Sequence, residues 1–286
     1  MYWDDLEVHD GGERIEEIWL NHPLVRAEAN RRISGHPAVW PTEWFAREFA
    51  THLPLRSAAV IGCGTGAFER DLISRDVAAY VHAVDIAGPP IRRATELAVA
   101  SAMENRVTYV QADAVSWLAD RAESFDGVFF HASLHHFQPE AILSVVHRAL
   151  RPGGLLYFDE YVGPSRTQWN AARLILPNIA YRLLPHALVR PHLIRSPINH
   201  EDPTEAVASH RIMPTVRELF DVVAERPYGG NLLPLIYPNL HRPPAVRAST
   251  LDRGVRRLIH YERALSRVGL TAYYSVVVAR KGDARV

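Results

Sequence analysis

The sequence predicts an α/β fold built on a mostly parallel sheet, and three observations carry that prediction. A short apolar run, Ala58–Ile61, turns on three alternate glycines, Gly62, Gly64 and Gly66, into a helix-compatible stretch, Ala67–Arg75. Downstream, strand-length apolar runs alternate with amphipathic helix patterns, the order that gives parallel strands covered by helices on both faces. At the end, a long helix pattern, Leu251–Val268, precedes a β-branched and aromatic run, Thr271–Arg280, suited to a last strand.

Length and composition set bounds. At 286 residues, one domain with an elaboration is favoured over two full domains. A hydrophobic content of 48% supports a sizeable core, and a formal net charge of zero gives no argument for a nucleic-acid partner. Cys63 is the single cysteine, which excludes an internal disulfide and a cysteine metal cluster and suits a cytoplasmic setting. Met1–Glu17 is dense in acids, so no secretory leader is expected, and no apolar run approaches the ~18 residues of a membrane span.

Taken in order, residues 1–50 stand outside the alternating strand and helix pattern. Ile15, Ile18 and Trp19 fit one helical face, Asn21–Pro23 breaks it, Asn30–Gly35 reads as a polar turn, and Thr42–His52 reads as another helix. The glycine turn follows. A strand that turns on glycines into a helix leaves backbone N–H groups bare at the helix N-terminus, a ready site for an anionic ligand group. Glycine supplies the unusual φ angles and the close approach. Gly62-x-Gly64-x-x-Ala67 also fits the dinucleotide fingerprint, and Asp85, ending the run Val81–Asp85, stands where a ribose-binding acid is expected. At this point NAD, S-adenosylmethionine and a turn with no ligand all remain open.

Residues 89–104 follow as an amphipathic helix with Ile91, Ala94, Leu97, Ala98 and Ser101 inward. A third strand closes on Asp113, and Phe125–His131 is a fourth. Residues 139–150 place Ile142, Val145, Val146, Ala149 and Leu150 at helical spacing after Pro139. Leu155–Asp159 is a fifth strand and Asp221–Tyr228 a sixth. Asp202 with Glu205, and Thr215 with Glu218, read as capping pairs opening helices. Gly269 stands where a C-cap glycine is expected.

The blocks VIGCGTG, VHAVDI, VQADA, FDGVFFHASLHHF and LRPGGLLYFDE, in that order over residues 58–162, resemble the class I S-adenosylmethionine-dependent methyltransferases. The resemblance implies a Rossmann-like seven-stranded sheet, mostly parallel, with the last strand antiparallel beside strand five. It implies a core of 51–162 and 215–286, an N-terminal helical lid over 1–50 and a helical cap over 163–214. It implies S-adenosylmethionine as cofactor: Gly62, Cys63, Gly64 and Gly66 around its methionine end, and Asp85 with Ile86 at the ribose. Asp113 with Ala114 would hold the adenine, and His131 would lie on the sulfonium side. The stretches NRRISG, EYVGPSRTQW, EDPTEAVASHRIMP and ERPYGGNLL look like one bacterial subgroup of small-molecule methyltransferases. That likeness implies an acceptor wall of Glu160, Tyr161, Arg166, Gln168 and Trp169. Arg31 and Arg32 are further candidates to face the substrate.

Ligands of such sheets bind at the carboxyl ends of the strands, which directs attention to His131–Phe137 and Asp159–Arg166. Methyl transfer to a hydroxyl needs an in-line acceptor and a base for its proton. Histidine titrates near neutrality and suits that task, so His135 and Glu160 are the base candidates and O-methylation is favoured. C-methylation of an alkene or prenyl diphosphate is the variant, with Glu160, Tyr161 or Trp169 steadying a carbocation. No protein metal ligands are singled out, and Mg²⁺ is expected only as the companion of a diphosphate acceptor.

The insertion 163–214 is distinctive. From Tyr161 to His200 there is no acid, yet Arg166, Arg173, Arg182, Arg190 and Arg195 are present among Leu, Ile and Pro. An acceptor with an anionic head, a peripheral membrane contact, and a packed or homodimeric surface all fit that composition. Two other classes fit the sequence less well. Asp113, the Pro-Gly-Gly lead into strand five and a single lysine, Lys281, argue against an NAD-dependent oxidoreductase with a Tyr-x-x-x-Lys relay. Intact glycines and strand-end acids argue against a non-catalytic scaffold.

Overall fold

Seven strands form one sheet: β1 (Ala58–Ile61), β2 (Val81–Asp85), β3 (Val107–Gln111), β4 (Phe125–His131), β5 (Leu150–Tyr161), β6 (Asp221–Gly229) and β7 (Tyr274–Arg280). The computed structural model describes residues 18–198, 201–244, 246–268, 270 and 272–282. The strand order is β3-β2-β1-β4-β5-β7-β6. β3 through β5 are mutually parallel, and β7 runs antiparallel between β5 and β6, as the sequence predicts for the last strand.

Helices α1 (Pro23–Ser34) and α2 (Pro41–Glu48) precede the sheet. Four more, α3 (Ala67–Ser74), α4 (Gly88–Ala100), α5 (Ala114–Ala119) and α6 (Pro139–Ala149), make the crossovers. α7 (Ala171–Arg182) and α8 (Ile212–Leu219) follow β5, and α9 (Leu233–Ile236) and α10 (Ala248–Arg267) lie between β6 and β7. Residues alternate between the two faces of each strand, and the core divides accordingly. Val60, Phe129, Tyr157 and Val278 meet Trp44, Phe45 and Leu72 on one face. Ile61, Phe130, Phe158 and Val277 meet Leu118, Ile142, Val146 and Val216 on the other. Phe45 is fully buried, with its ring against those of Phe49, Phe129 and Tyr157. Each such burial contributes about 1.5–3 kcal/mol. β1 lies between β2 and β4, so the crossovers leave it in opposite directions. The crevice at the carboxyl ends of β1 and β4 is therefore the ligand position this topology creates.

Several local expectations are corrected. Residues 30–35 are the last turn of α1 and its cap, not a polar turn, because Arg31 and Arg32 both pair back to Glu28 at 3.0 Å. Gly35, at φ +83°, ends that helix, and its N–H donates to the Arg31 carbonyl. Asn21–Pro23 leads into α1: the His22 side chain accepts from the Leu24 N–H, and Pro23 occupies the first position. Ser101 is exposed beyond the end of α4, where its hydroxyl donates to the Leu97 carbonyl. Thr215 lies inside α8, donating to the Arg211 carbonyl, because burial of Ile212 and Met213 starts the helix earlier. Asp202 caps a turn rather than a helix, its Oδ1 accepting from the Thr204 N–H at 2.8 Å and hydroxyl at 2.7 Å. β5 is longer than expected and carries Glu160 and Tyr161 into register with Ser275 and Tyr274 of β7. Ile15, Gly269 and Thr271 lie outside the described residues.

Candidate active site

The glycine turn sits at the carboxyl end of β1. Gly62, Gly64 and Gly66 have φ of +68°, +53° and +76°, values that disfavour any other residue. A Cβ on Gly62 would meet Ser133 Cβ at 2.5 Å, and one on Gly66 would run into the Tyr109 hydroxyl, whereas one on Gly64 would meet nothing within 4 Å. Gly64 is thus the open side of the turn. Asp85, ending β2, fixes it: Oδ2 accepts from the Gly64 N–H at 2.8 Å, and Oδ1 from the Ala87 N–H at 2.9 Å. Ile86 next to it leaves its apolar side chain exposed. Asp113 caps α5, accepting from the Ser116 N–H at 2.8 Å, with Ala114 buried behind it. Cys63 is buried, which pushes its thiol far up and makes it an inert turn residue.

His131, ending β4, is half exposed, stacks on Phe68 at 5.0 Å, and has Nδ1 3.8 Å from Asp159. Asp159 is raised by its burial and accepts from the Tyr228 hydroxyl at 2.7 Å.

The turn after β4 and the end of β5 close on one another through Glu160. This carboxylate is buried and accepts from four donors. Oε1 takes the N–H groups of Ser133 and Leu134. Oε2 takes the Tyr161 N–H at 3.0 Å and His135 Nδ1 at 2.7 Å. Burial alone would raise its pKa, but His135 and the two Oε1 donors hold it below the usual carboxylate value. Burial alone would lower His135, but Glu160, then Glu205 and Asp202, raise it. Nδ1–H is thereby committed to Glu160, and Nε2 is the free ring nitrogen, 3.9 Å from Glu205. Glu160 has no oxygen left to face an acceptor, so its geometry is that of a positioning group, which departs from its reading as a base.

The segment between α7 and α8 contributes the turn 202–205. His136 Nδ1 lies 3.1 Å from the Thr204 hydroxyl and 3.4 Å from Asp202. Burial and the neighbouring His135 push His136 down to about 4, and burial raises Glu205. One ring nitrogen each of His135 and His136 and one Glu205 oxygen lie within 4.8 Å of one another. That donor set is able to hold a divalent ion, and the sequence reading did not single it out. Arg166 anchors this turn by donating to the carbonyls of Asp202 (3.1 Å) and Pro203 (2.6 Å). Gln168 closes a capping box with Ser165, and Trp169 packs edge-on to Tyr273. The Tyr161 hydroxyl donates to the Pro164 carbonyl at 2.7 Å, and the ring stands edge-on to His135.

Arg31 and Arg32 are not brought to this cluster. They share Glu28 with Arg263 of α10, which holds that carboxylate, after the opposing cost of burial, down to about 2. Sequence reasoning also missed Phe68, Tyr228 and Glu69. Glu69 is fully buried in the first turn of α3, and burial raises it to about 8. The one signal for it is an acid at the third position of a helix that opens on a glycine turn.

Residues 59–158 match the model of a methyltransferase domain. The match covers about a third of the chain. Its fold is shared with a candidate sarcosine dimethylglycine methyltransferase from Galdieria sulphuraria, at 14% identity over 85% of each chain and a TM-score of 0.53. A geranyl diphosphate C-methyltransferase from Streptomyces coelicolor A3(2), bound to Mg²⁺, geranyl-S-thiolodiphosphate and S-adenosyl-L-homocysteine, aligns at 12% identity over 82% of this chain and 74% of its own (TM-score 0.52). The [4+2]-cyclase SpnF aligns at 17% identity over 94% and 97% (TM-score 0.51). At these identities the likeness is one of fold.

Proposed function

We propose that this chain transfers a methyl group from S-adenosylmethionine to the oxygen of a small-molecule acceptor. The observation that carries the proposal is the placing of the open Gly64–Asp85 crevice and the His135–Glu160 pair at the same edge of one sheet. S-adenosylmethionine supplies a methyl carried on a sulfonium, which leaves as a neutral thioether. The residues present fit that ligand. Asp85 is poised at the open glycine, Ile86 offers an apolar surface beside it, and Asp113 stands at the next strand end. Asp113, just beyond β3, is the acid that supports an adenosyl sulfonium over a dinucleotide.

In the proposed reaction an acceptor lone pair forms the new bond to the methyl carbon, the carbon–sulfur pair returns to sulfur, and the acceptor proton passes to His135 Nε2. Glu160 holds the Nδ1–H tautomer that leaves Nε2 free. Tyr161, Trp169 and the turn 202–205, anchored by Arg166, form the acceptor wall. Residues 51–162 and 215–286 act as the core and 163–214 as the cap. The stretches EYVGPSRTQW and EDPTEAVASHRIMP support membership of a bacterial subgroup acting on small molecules. The test is a panel of hydroxylated acceptors with methyl-labelled S-adenosylmethionine. Label transferred to an oxygen, with one S-adenosylhomocysteine formed per transfer, is the expected result. Label on carbon would overturn the assigned atom, and oxidation of NADH with no label transferred would overturn the whole reading.

A further inference from the structure

α7 presents a face that a surface helix does not ordinarily show to water. Each residue of an α-helix turns by about 100°, so Ile175, Ile179, Leu183 and Leu176 fall within about 100° of one another on one side. Pro177 and Tyr181 lie on the opposite side and are buried. The outer four are 57%, 52%, 55% and 46% exposed. Leu193, 65% exposed, continues the stripe, because its segment is tied alongside α7 by Asn178 to Ile194 and by Arg182 to His192. Five of the twelve large apolar side chains exposed among the described residues therefore gather here. A helix that is apolar on both sides is one that something covers.

The charges around the stripe say what covers it. Arg182 flanks one side and Arg173 the other, with Arg190 and Arg195 on the following segment, all exposed. Among the described residues none of the four pairs with a carboxylate. Their hydrogen bonds go to the Gln168 and His192 carbonyls, to the Tyr273 hydroxyl and to His241. No acid occurs between Tyr161 and His200. A second copy meeting this face in a two-fold interface would set arginine against arginine with no acid to answer it.

We propose that the outer face of α7, with the segment through Arg195, docks this protein on an anionic lipid bilayer. The stripe would enter the headgroup boundary while the arginines reach lipid phosphates. A groove of about 850 Å³ shares Leu193 and Arg195 with the patch and runs in between Leu174, Ile194 and Leu235. Docking would bring its mouth to the lipid surface, where an acyl or prenyl chain has access. This inference does not depend on the methyl-transfer reading.

The experiment is co-sedimentation of the full chain with phosphatidylcholine vesicles, with and without phosphatidylglycerol, over a range of salt. Binding is expected only to the anionic vesicles and is expected to weaken as salt rises. The double variant Ile179→Asp/Leu183→Asp is expected to lose at least about tenfold in partitioning. Arg182→Gln and Arg195→Gln are each expected to lose roughly fivefold. Because all four side chains are exposed, thermal unfolding and S-adenosylmethionine titration of the variants should match the parent. Failure to bind anionic vesicles, or equal binding by the double variant, would overturn the proposal. So would a lipid-free dimer that the double variant dissociates, which would assign the face to a second copy.

Discussion

Replacing His135 with alanine is expected to lower kcat by about 10²–10⁴, the contribution of a positioned general base. The loss falls on kcat because the reading gives Nε2 no part in holding S-adenosylmethionine, whose affinity is expected to stay within about twofold. His135→Asn keeps a donor toward Glu160 but has no nitrogen that takes a proton, so the same loss in kcat is expected. Single-turnover rates with a hydroxylated acceptor, alongside the cofactor dissociation constant, check this. A purely structural role would instead lower the unfolding temperature and be relieved by the asparagine. The base must be neutral to act. Since Glu160 and the acids beside it raise His135 above the ordinary histidine value, the acid limb of the pH–kcat profile is expected above pH 6.5.

The second large effect is expected at Glu160. In Glu160→Gln the amide oxygen can still accept from Ser133 and Leu134, which turns the amide nitrogen toward His135 Nδ1 and the Tyr161 N–H. Two donors then face each other at Tyr161, at a cost of about 1–3 kcal/mol in stability. At His135 the amide donates to Nδ1, so the proton moves to Nε2 and the base position is blocked. A fall in kcat of about 10²–10⁴ follows from the wrong tautomer. The residual activity should have its acid limb shifted downward, since burial, which lowers His135, is no longer offset by Glu160.

The pair also has a stability signature with a definite sign. Glu160 is depressed, so its contribution is present above the unfolded carboxylate value and lost as pH falls through the folded one. His135 is raised, so its contribution is present below the unfolded histidine value and lost as pH rises through the folded one. Between those limits the parent should exceed the glutamine variant by the largest margin, a difference that pH-resolved thermal unfolding reads.

The parts of this arrangement that were legible in the sequence are those carried by local pattern. The Ala58–Ile61 run and its three glycines announce a strand turning into a helix. The apolar spacing over 139–150 announces α6, and the β-branched ending announces β7. Residue chemistry at the strand ends pointed to His135, Glu160 and Asp85. What was not legible depends on groups far apart in the chain. Arg31 and Arg32 look like loop cations until Arg263 is seen completing the Glu28 cluster from α10. Glu160 reads as a free acid until four donors close on it. Asp202 and Glu205 read as a helix cap until Arg166 ties their turn against the two histidines. Thr215 reads as a cap because its spacing to Glu218 is right, but burial of Ile212 decides where α8 begins.

The central claim is that the Gly62–Gly66 turn and Asp85 hold S-adenosylmethionine, and titration calorimetry tests it most directly. The parent chain and Asp85→Ala would each be titrated with S-adenosylmethionine, S-adenosylhomocysteine and NADH. Removing the carboxylate releases the Gly64 and Ala87 N–H groups and deletes the partner assigned to the ribose. Charge-assisted hydrogen bonds contribute about 1.5–3 kcal/mol each. Micromolar binding of both adenosyl ligands by the parent, weakened on the order of 100-fold or more in the variant with no binding of NADH, is the result the account predicts. Binding of NADH alone, or adenosyl binding that Asp85→Ala leaves unchanged, would contradict it.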